Sequence, residues 1–450
     1  MTKQEAVIKY IEDNYLQFSR LRHDVISDKL QIRLSGEEAM RLLGERHEYW
    51  REMTKHDINS IVCHCAQECD VNITSREVMT ALQSDLIPDV HPLREYILSL
   101  PPFTPDQPDW IDWVAQQVHV KAYPQPLPKG RGEGASNTAP MEVEGTGADY
   151  KSFPLGEDLG EASRLWRACF KKWFVAMVAS WMKDEVVNHQ VLVLIGKQGI
   201  YKTTWLEHLI PPHLRAYACK LANSNELNKD ERMRIAEFGL ISLDEIDSMN
   251  NRELNQLKSI ITATDVNERA AYAYTKERRV RLASFCASGN RRDFLTDITG
   301  NRRWLPFEVE SIQNPFYTTL PYERIYAQAW ELAQDPFFSY WFDLDEIEIL
   351  EEHNQHFRDE SNEEQLLDVY FAVPPTDATN AKFLTTAEIS ERLIYYGNIK
   401  KPMILSRLGV LLSQKGFLSV RRGNPSRRGW IIYERESQEV NAERAILSKH

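Results

Sequence analysis

The sequence predicts an α/β core, with a mainly helical segment before it and a winged helix after it, on three observations. Short continuous apolar runs at 191–195, 240–243 and 282–287 alternate with helical patterning, as buried strands of a parallel sheet do. The residues before 121 place apolar side chains at a period of 3.6. Near the C-terminus the order becomes helix, helix, hairpin, which is the order of a winged helix.

Taken in chain order, helices are expected at Ala6 to Tyr15, His56 to Glu68 and Ser75 to Ser84. Thr74 with Glu77 reads as a capping box, and Pro92 suits the first turn of a further helix. Cys63, His64, Cys65 and Cys69 invite a zinc reading, but all four fall in a helical stretch without a second ligand pair, so thiols packed on a helix are favoured. Periodicity then disappears into Pro, Gly, Ser and Glu. The expected organisation is a helical domain at 1–121, a flexible linker at 122–152, the α/β domain at 153–340, a helical connector at 341–380, the winged helix at 381–436 and a tail at 437–450.

With 450 residues, 42% hydrophobic and 27% charged, the composition is that of a globular chain of several domains. No apolar run is long enough to cross a bilayer and the start has no secretion-signal pattern, so a cytoplasmic protein with no membrane partner is expected. Six scattered cysteines do not make a disulfide framework. A net charge of -12 argues against nucleic acid only on average, because local basic patches decide such binding.

The first apolar run ends at Ile195 and leads into Gly196, Lys197, Gln198, Gly199, Ile200, Tyr201, Lys202, Thr203 and Thr204, before an amphipathic helix. Phosphate binding needs that order, a loop of converging amides followed by a helix N-terminus. The ligand implied is ATP with Mg²⁺: Lys202 reaches the outer phosphates and the Thr203 hydroxyl meets the metal. Tyr201 stands where the pattern has its second glycine, so its side chain is expected to point away from the phosphates. The second run delivers Asp244, to hold Mg²⁺ through water, and Glu245, to polarise the attacking water. The third ends before Asn290, an amide placed to sense the γ-phosphate. One loop motif arises easily by chance; three features at successive strand ends do not. Arg302 and Arg303 are candidates to stabilise the transferring phosphoryl charge from a neighbouring subunit, which requires self-association.

Four stretches, 194–204, 240–246, the segment through Ser288, Gly289 and Asn290, and 299–306, resemble the virulence-associated protein E family of P-loop proteins carried by phages, plasmids and mobile islands. A weaker likeness extends to Val90 to Tyr96. That family is similar to the superfamily 3 helicases, so the resemblance implies an AAA+-like ATPase core forming a hexameric ring that moves along DNA during replication of a mobile element. It also implies a basic hairpin facing the pore, here at 272–281 with Lys276, Arg278, Arg279 and Arg281, whose bases and aromatics suit a DNA strand. Tyr201 departs from the glycine expected in the family; nucleotide binding tolerates that change more readily than fast turnover.

In the C-terminal module, Lys400, Lys401, Arg407 and Lys415 fall on the candidate recognition helix and Arg421, Arg422, Arg427 and Arg428 on the wing, a clustering that suggests DNA phosphate contact. Asp343 and Asp345 fit a helix N-cap better than a primase metal pair, which leaves a motor served by a separate primase or replication partner. The expected function is an ATP-dependent helicase or translocase on single-stranded or forked DNA. The alternatives are a nucleotide-controlled DNA-binding switch, in regulation or phage defence, that does not unwind, and a loader acting on other proteins.

Overall fold

The computed structural model describes residues 2–43, 49–122, 160–221, 229–268, 277–295, 301–358, 362–374, 380–400, 402–422 and 426–447. It divides into two units, one of residues 1–291 with 303–350 and one of 292–302 with 351–450. The expected linker at 122–152 lies, apart from Ala122, outside the described residues.

The N-terminal part of the first unit differs from the helical expectation, because it contains a four-stranded sheet. Strands β1 (Leu21–Asp24), β2 (Lys29–Leu34), β3 (Tyr49–Glu52) and β4 (Asp89–Val90) run in the order β3-β2-β1-β4, with only β1 and β4 parallel. Their apolar alternation is broken by buried polar residues that are individually satisfied. Arg22 donates to Gln31 (2.8 Å) and Glu95 (2.5 Å) while lying 4.1 Å from the Trp50 ring. Asp24 accepts from the Ile26 amide (2.9 Å) and the Tyr217 hydroxyl (2.8 Å). The helices Lys3–Asn14, Lys55–Cys69 and Ser75–Leu82 form where the period places them, each opened by a capping box from Thr2, Thr54 or Thr74. Cys65 is buried in the second of these, with Cys69 beside it, and both thiols turn toward the Ala6 carbonyl (3.8 and 3.9 Å). Burial pushes the Cys65 thiol up to about 12. Among the described residues no cluster of three or more His, Cys, Asp or Glu could hold a metal.

The core of this unit is a six-stranded sheet. Its strands are β5 (Val118–Val120), β6 (Val191–Ile195), β7 (Ala218–Leu221), β8 (Leu240–Leu243), β11 (Ser284–Gly289) and β12 (Trp304–Ile312), with a separate hairpin pair β9 (Asp265–Glu268) and β10 (Glu277–Val280) before β11. The order is β5-β12-β6-β11-β8-β7, parallel throughout except for the edge strand β5. Every residue of β6 is buried, as its unbroken apolar run requires. The helix Glu161–Met182 packs on the sheet through three fully buried tryptophans. Their indoles donate to main-chain carbonyls: Trp166 to Ala115 (2.9 Å), Trp173 to Phe285 (3.1 Å) and Trp181 to Gly239 (3.1 Å).

β12 carries Pro306 opposite Val193 of β6, although proline rarely enters an inner strand. On its other side β12 meets β5 only from Val309 onward, so the missing donor at Pro306 falls outside the ladder with β5. Among the described residues no helix is long and apolar enough to cross a membrane.

In the second unit β16 (Arg427–Glu434) pairs with β13 (Phe371–Ala372), β14 (Lys382–Leu384) and β15 (Leu418–Arg422), all antiparallel. The helices Thr386–Gly397 and Leu405–Gln414 cover this sheet around buried Leu393, Leu408, Leu412 and Trp430. The second of them starts only at Leu405, beyond Pro402 and a short extended segment, so Lys400, expected on this helix, lies before it.

Candidate functional site

The carboxyl ends of β6, β8 and β11 open onto one cleft of about 310 Å³ lined by Gly199, Tyr201, Lys202, Thr203, Asp244, Glu245, Ser288 and Asn290, among others. The loop after β6 is anchored by the Gly196 amide, which donates to the Gly289 carbonyl (3.1 Å). Two left-handed residues shape the loop. Gly199 has φ 85°, which glycine adopts freely, and Tyr201 has φ 68°, which costs a residue with a Cβ about 1–2 kcal/mol. Tyr201 thus holds a backbone conformation that glycine adopts freely. Its side chain lines the mouth of the cleft, where its hydroxyl accepts from the Asn314 amide (3.4 Å).

Lys202 opens the helix Lys202–His208, and its amine is buried in the bend of the loop. It donates to the carbonyls of Gly196 and Lys197 (both 2.7 Å) and to Asn290 Oδ1 (3.4 Å). Burial pushes this amine below the ordinary lysine range, partly countered by the Asp247 and Asp244 carboxylates. A cation held against two carbonyls can exchange them for anionic phosphate oxygens, which are better acceptors.

Opposite the lysine, Thr203 donates to Asp244 Oδ1 (3.2 Å), and Ser288 of β11 donates to the same oxygen (2.6 Å). Thr203 and Ser288 hydroxyls are themselves 3.0 Å apart. The other carboxylate oxygen pairs with Lys220 of β7 (2.8 Å). Burial alone would raise the Asp244 carboxyl, but Lys220, Ser288 and Thr203 outweigh it and hold it below the usual carboxylate range. The Thr203 hydroxyl and the Asp244 carboxylate, the latter oriented by Ser288, form an all-oxygen set that suits a hard divalent cation such as Mg²⁺, so the donors fit the metal that the loop implies. Glu245 follows at φ 52°, a second strained residue at the cleft.

Asn290 leaves β11 next to Lys202 with its backbone fixed from below. The Asp247 carboxylate accepts from the amides of Asn290 (3.2 Å) and Arg291 (3.0 Å). A Cβ on Gly289 would lie 2.8 Å from both Asp247 Oδ1 and Ile195 Cδ1, so a larger residue there would have to displace both side chains. Ser288, Lys220 and Asp247 were not singled out by sequence reasoning. Ser288 and Asp247 were within its reach, each standing two residues from one that was, whereas Lys220 lies on a strand with no apolar run.

Arg303 stands apart from this cleft. Trp304 is opposite Val191 at the amino end of β6, while Glu308 is opposite Ile195. Arg303 therefore enters β12 at the far edge of the sheet, roughly 16 Å of strand from the loop of its own chain. Arg302 is exposed and belongs to the second unit.

The basic residues assigned to DNA divide into distinct groups. Arg281 is corrected outright: it is buried, and its guanidinium donates to the carbonyls of Ala283 (2.9 Å), Asn188 (2.8 Å), Ala263 (3.3 Å), Ile260 (3.4 Å) and Ile261. It is a structural staple between β10 and the helix Asn251–Thr262, and desolvation lowers its pKa. Arg279 is turned toward Asp28 (3.6 Å) and Glu237 (3.9 Å). Arg278 lies in β10 opposite Asn267. Lys276 and Lys401 lie outside the described residues. Lys415 pairs with Asp368 and with Glu364 (3.7 Å), so its charge is already engaged by two carboxylates. Arg407 is exposed, and the four wing arginines are exposed and directly opposed, Arg421 to Arg428 and Arg422 to Arg427. Asp343 caps the following helix by accepting from the Glu346 amide (2.9 Å), as its N-cap reading requires.

Compared with known proteins, the chain shows a loose likeness to solved structures. The A-form apo structure of the NrS-1 C-terminal region is 9% identical, with a TM-score of 0.43, over 95% of this chain and 100% of that one. Another apo structure of the same region is 10% identical, with a TM-score of 0.39, over 96% and 99%. No curated protein matches the sequence. Residues 155–359, which contain the whole of the β6, β8 and β11 cleft, match the family model of the virulence-associated protein E-like domain.

Proposed function

We propose that the chain is a P-loop ATPase that drives movement along single-stranded or forked DNA during replication of a mobile element. The single observation that carries this reading is the convergence of Lys202, Thr203, Asp244, Glu245 and Asn290 at the carboxyl ends of three adjacent parallel strands. Strand order β12-β6-β11-β8-β7 suits an AAA+-like core of the superfamily 3 kind, and the match to the virulence-associated protein E-like domain supports the mobile-element setting. In this reading Lys202 and the loop amides hold ATP, and Thr203 and Asp244 hold Mg²⁺, which neutralises phosphate charge. Glu245 takes the proton of the attacking water, and Asn290 orients the γ-phosphate. Arg303 and Arg302 are assigned to the site of a neighbouring subunit, since Arg303 stands at the opposite end of the strands from the loop of its own chain; that role requires self-association, expected as a hexameric ring.

The second unit is read as a winged helix with a basic wing. Directly opposed arginines repel each other across β15 and β16, so two such pairs in register favour an anionic partner. DNA phosphates supply one.

Strand displacement on a forked duplex, measured with ATP hydrolysis, tests the proposal. The expected result is hydrolysis stimulated by single-stranded DNA together with unwinding, both lost in Lys202→Ala. The second reading, a nucleotide-controlled switch that binds DNA without unwinding, is favoured by the Tyr201 side chain at the mouth of the cleft. It predicts DNA binding that responds to ATP with no strand displacement.

A further inference from the structure

Beside the phosphate loop lies an aromatic cluster that phosphate chemistry does not use. β12 continues past Glu308, the partner of Ile195, so that the loop following Ile312 comes to lie against the cleft. Phe316 there is 70% exposed and Tyr317 is 88% exposed. The Phe316 ring stands edge-on to Tyr201 (6.4 Å, 82°) and to His208 (5.6 Å, 88°). The display is built rather than accidental. Asn314 accepts from the Phe316 amide (3.0 Å) through its side chain and from the Tyr317 amide (3.1 Å) through its carbonyl, which fixes the turn carrying both rings. The same side chain donates to the Tyr201 hydroxyl, which ties the turn to the phosphate loop.

We propose that Phe316, with Tyr201 and His208 at its edge, is a stacking subsite for the base of the bound nucleoside triphosphate. This proposal rests on the nucleotide-binding reading of the loop. Three features carry it. Tyr201 belongs both to the phosphate cleft and to the aromatic cluster, so one ligand can span them. A large aromatic ring kept in water beside a charged cleft gains free energy when a flat base covers it. The αL tyrosine gains a purpose: a glycine would relieve the backbone but remove one wall of the subsite.

The chemistry also defines the specificity. Both ends of the Asn314 amide are already engaged, with Tyr201 and with the Phe316 amide, so little is left to read the edge of a base. Recognition by stacking favours the larger purine ring and tolerates adenine and guanine alike.

Calorimetric titration of the full chain with Mg·ATP, Mg·GTP and Mg·tripolyphosphate tests this. In Phe316→Ala, affinity for ATP and for GTP should fall on the order of tenfold, with tripolyphosphate affinity unchanged. Phe316→Trp should restore both nucleotides. An equal loss for ATP and tripolyphosphate, no loss for ATP, or rejection of GTP by wild type would overturn the subsite. A different result identifies failure of the underlying reading: wild type that binds neither ATP nor tripolyphosphate, or Lys202→Ala that binds both as well as wild type does, removes the nucleotide cradle and the subsite with it.

Discussion

Ser288 Oγ donates to Asp244 Oδ1 at 2.6 Å, linking the end of β11 to the end of β8 directly beneath the Thr203 hydroxyl. The bond orients the carboxylate from behind, as a supporting donor does for a metal ligand. Ser288→Ala should therefore weaken Mg²⁺ binding on the order of tenfold, with nucleotide still bound. The Mg²⁺ concentration giving half-maximal hydrolysis is the measurement, and an unchanged midpoint would remove Ser288 from the site.

Glu245 is the residue expected to activate water. Glu245→Gln should retain ATP binding and slow hydrolysis by on the order of 10²–10⁴-fold, the usual contribution of a general base. Single-turnover hydrolysis checks this; turnover close to wild type would move the base elsewhere in the cleft.

The basic residues should separate by readout. Arg281→Met removes a donor from five carbonyls, of which Ile260 keeps the Ala263 amide and Ile261 keeps His189, and is expected to destabilise the first unit by about 3 kcal/mol. Replacing Arg421, Arg422, Arg427 and Arg428 by Gln should leave the melting temperature nearly unchanged. It should flatten the salt dependence of duplex DNA binding by about 0.9 in log–log slope for each lost phosphate contact. Thermal melts beside salt-series binding curves distinguish the two groups.

His23 lies between two carboxylates, Asp89 on Nδ1 (2.8 Å) and Asp28 on Nε2 (3.1 Å), with Arg279 on the far side of Asp28 (3.6 Å). Burial alone would lower its pKa, but the hydrogen bonds and charges of Asp89 and Asp28 raise it above the ordinary histidine value of 6.5. A pKa raised on folding stabilises the fold fully below the ordinary value, and that stability is lost as pH rises through the raised one. The melting-temperature gap between wild type and His23→Gln should thus be widest in mild acid and close at alkaline pH. A gap independent of pH would show that the two ion pairs contribute nothing.

What the sequence made legible was the part governed by backbone and burial rules. β6, β8 and β11 read as apolar runs because both faces of a parallel sheet are covered, and the glycines and Lys202 follow from how phosphate must be held. β12 was hidden by Pro306, which argues against an inner strand until β5 is seen to pair only farther along. The N-terminal sheet was hidden by Arg22 and Asp24, buried polar residues whose partners Glu95 and Tyr217 are remote in sequence. Arg281 shows the converse limit. A run of basic residues at 276–281 looks uniform in sequence, yet one member carries its charge into the interior and spends it on carbonyls.

The cradle formed by Lys202, Thr203, Asp244 and Asn290 is tested most directly by titration of Mg·ATP into wild type and Lys202→Ala. Saturable Mg²⁺-dependent binding to wild type, abolished in Lys202→Ala while the melting temperature without nucleotide stays close to that of wild type, is the result predicted. Equal affinity in the two proteins would contradict it.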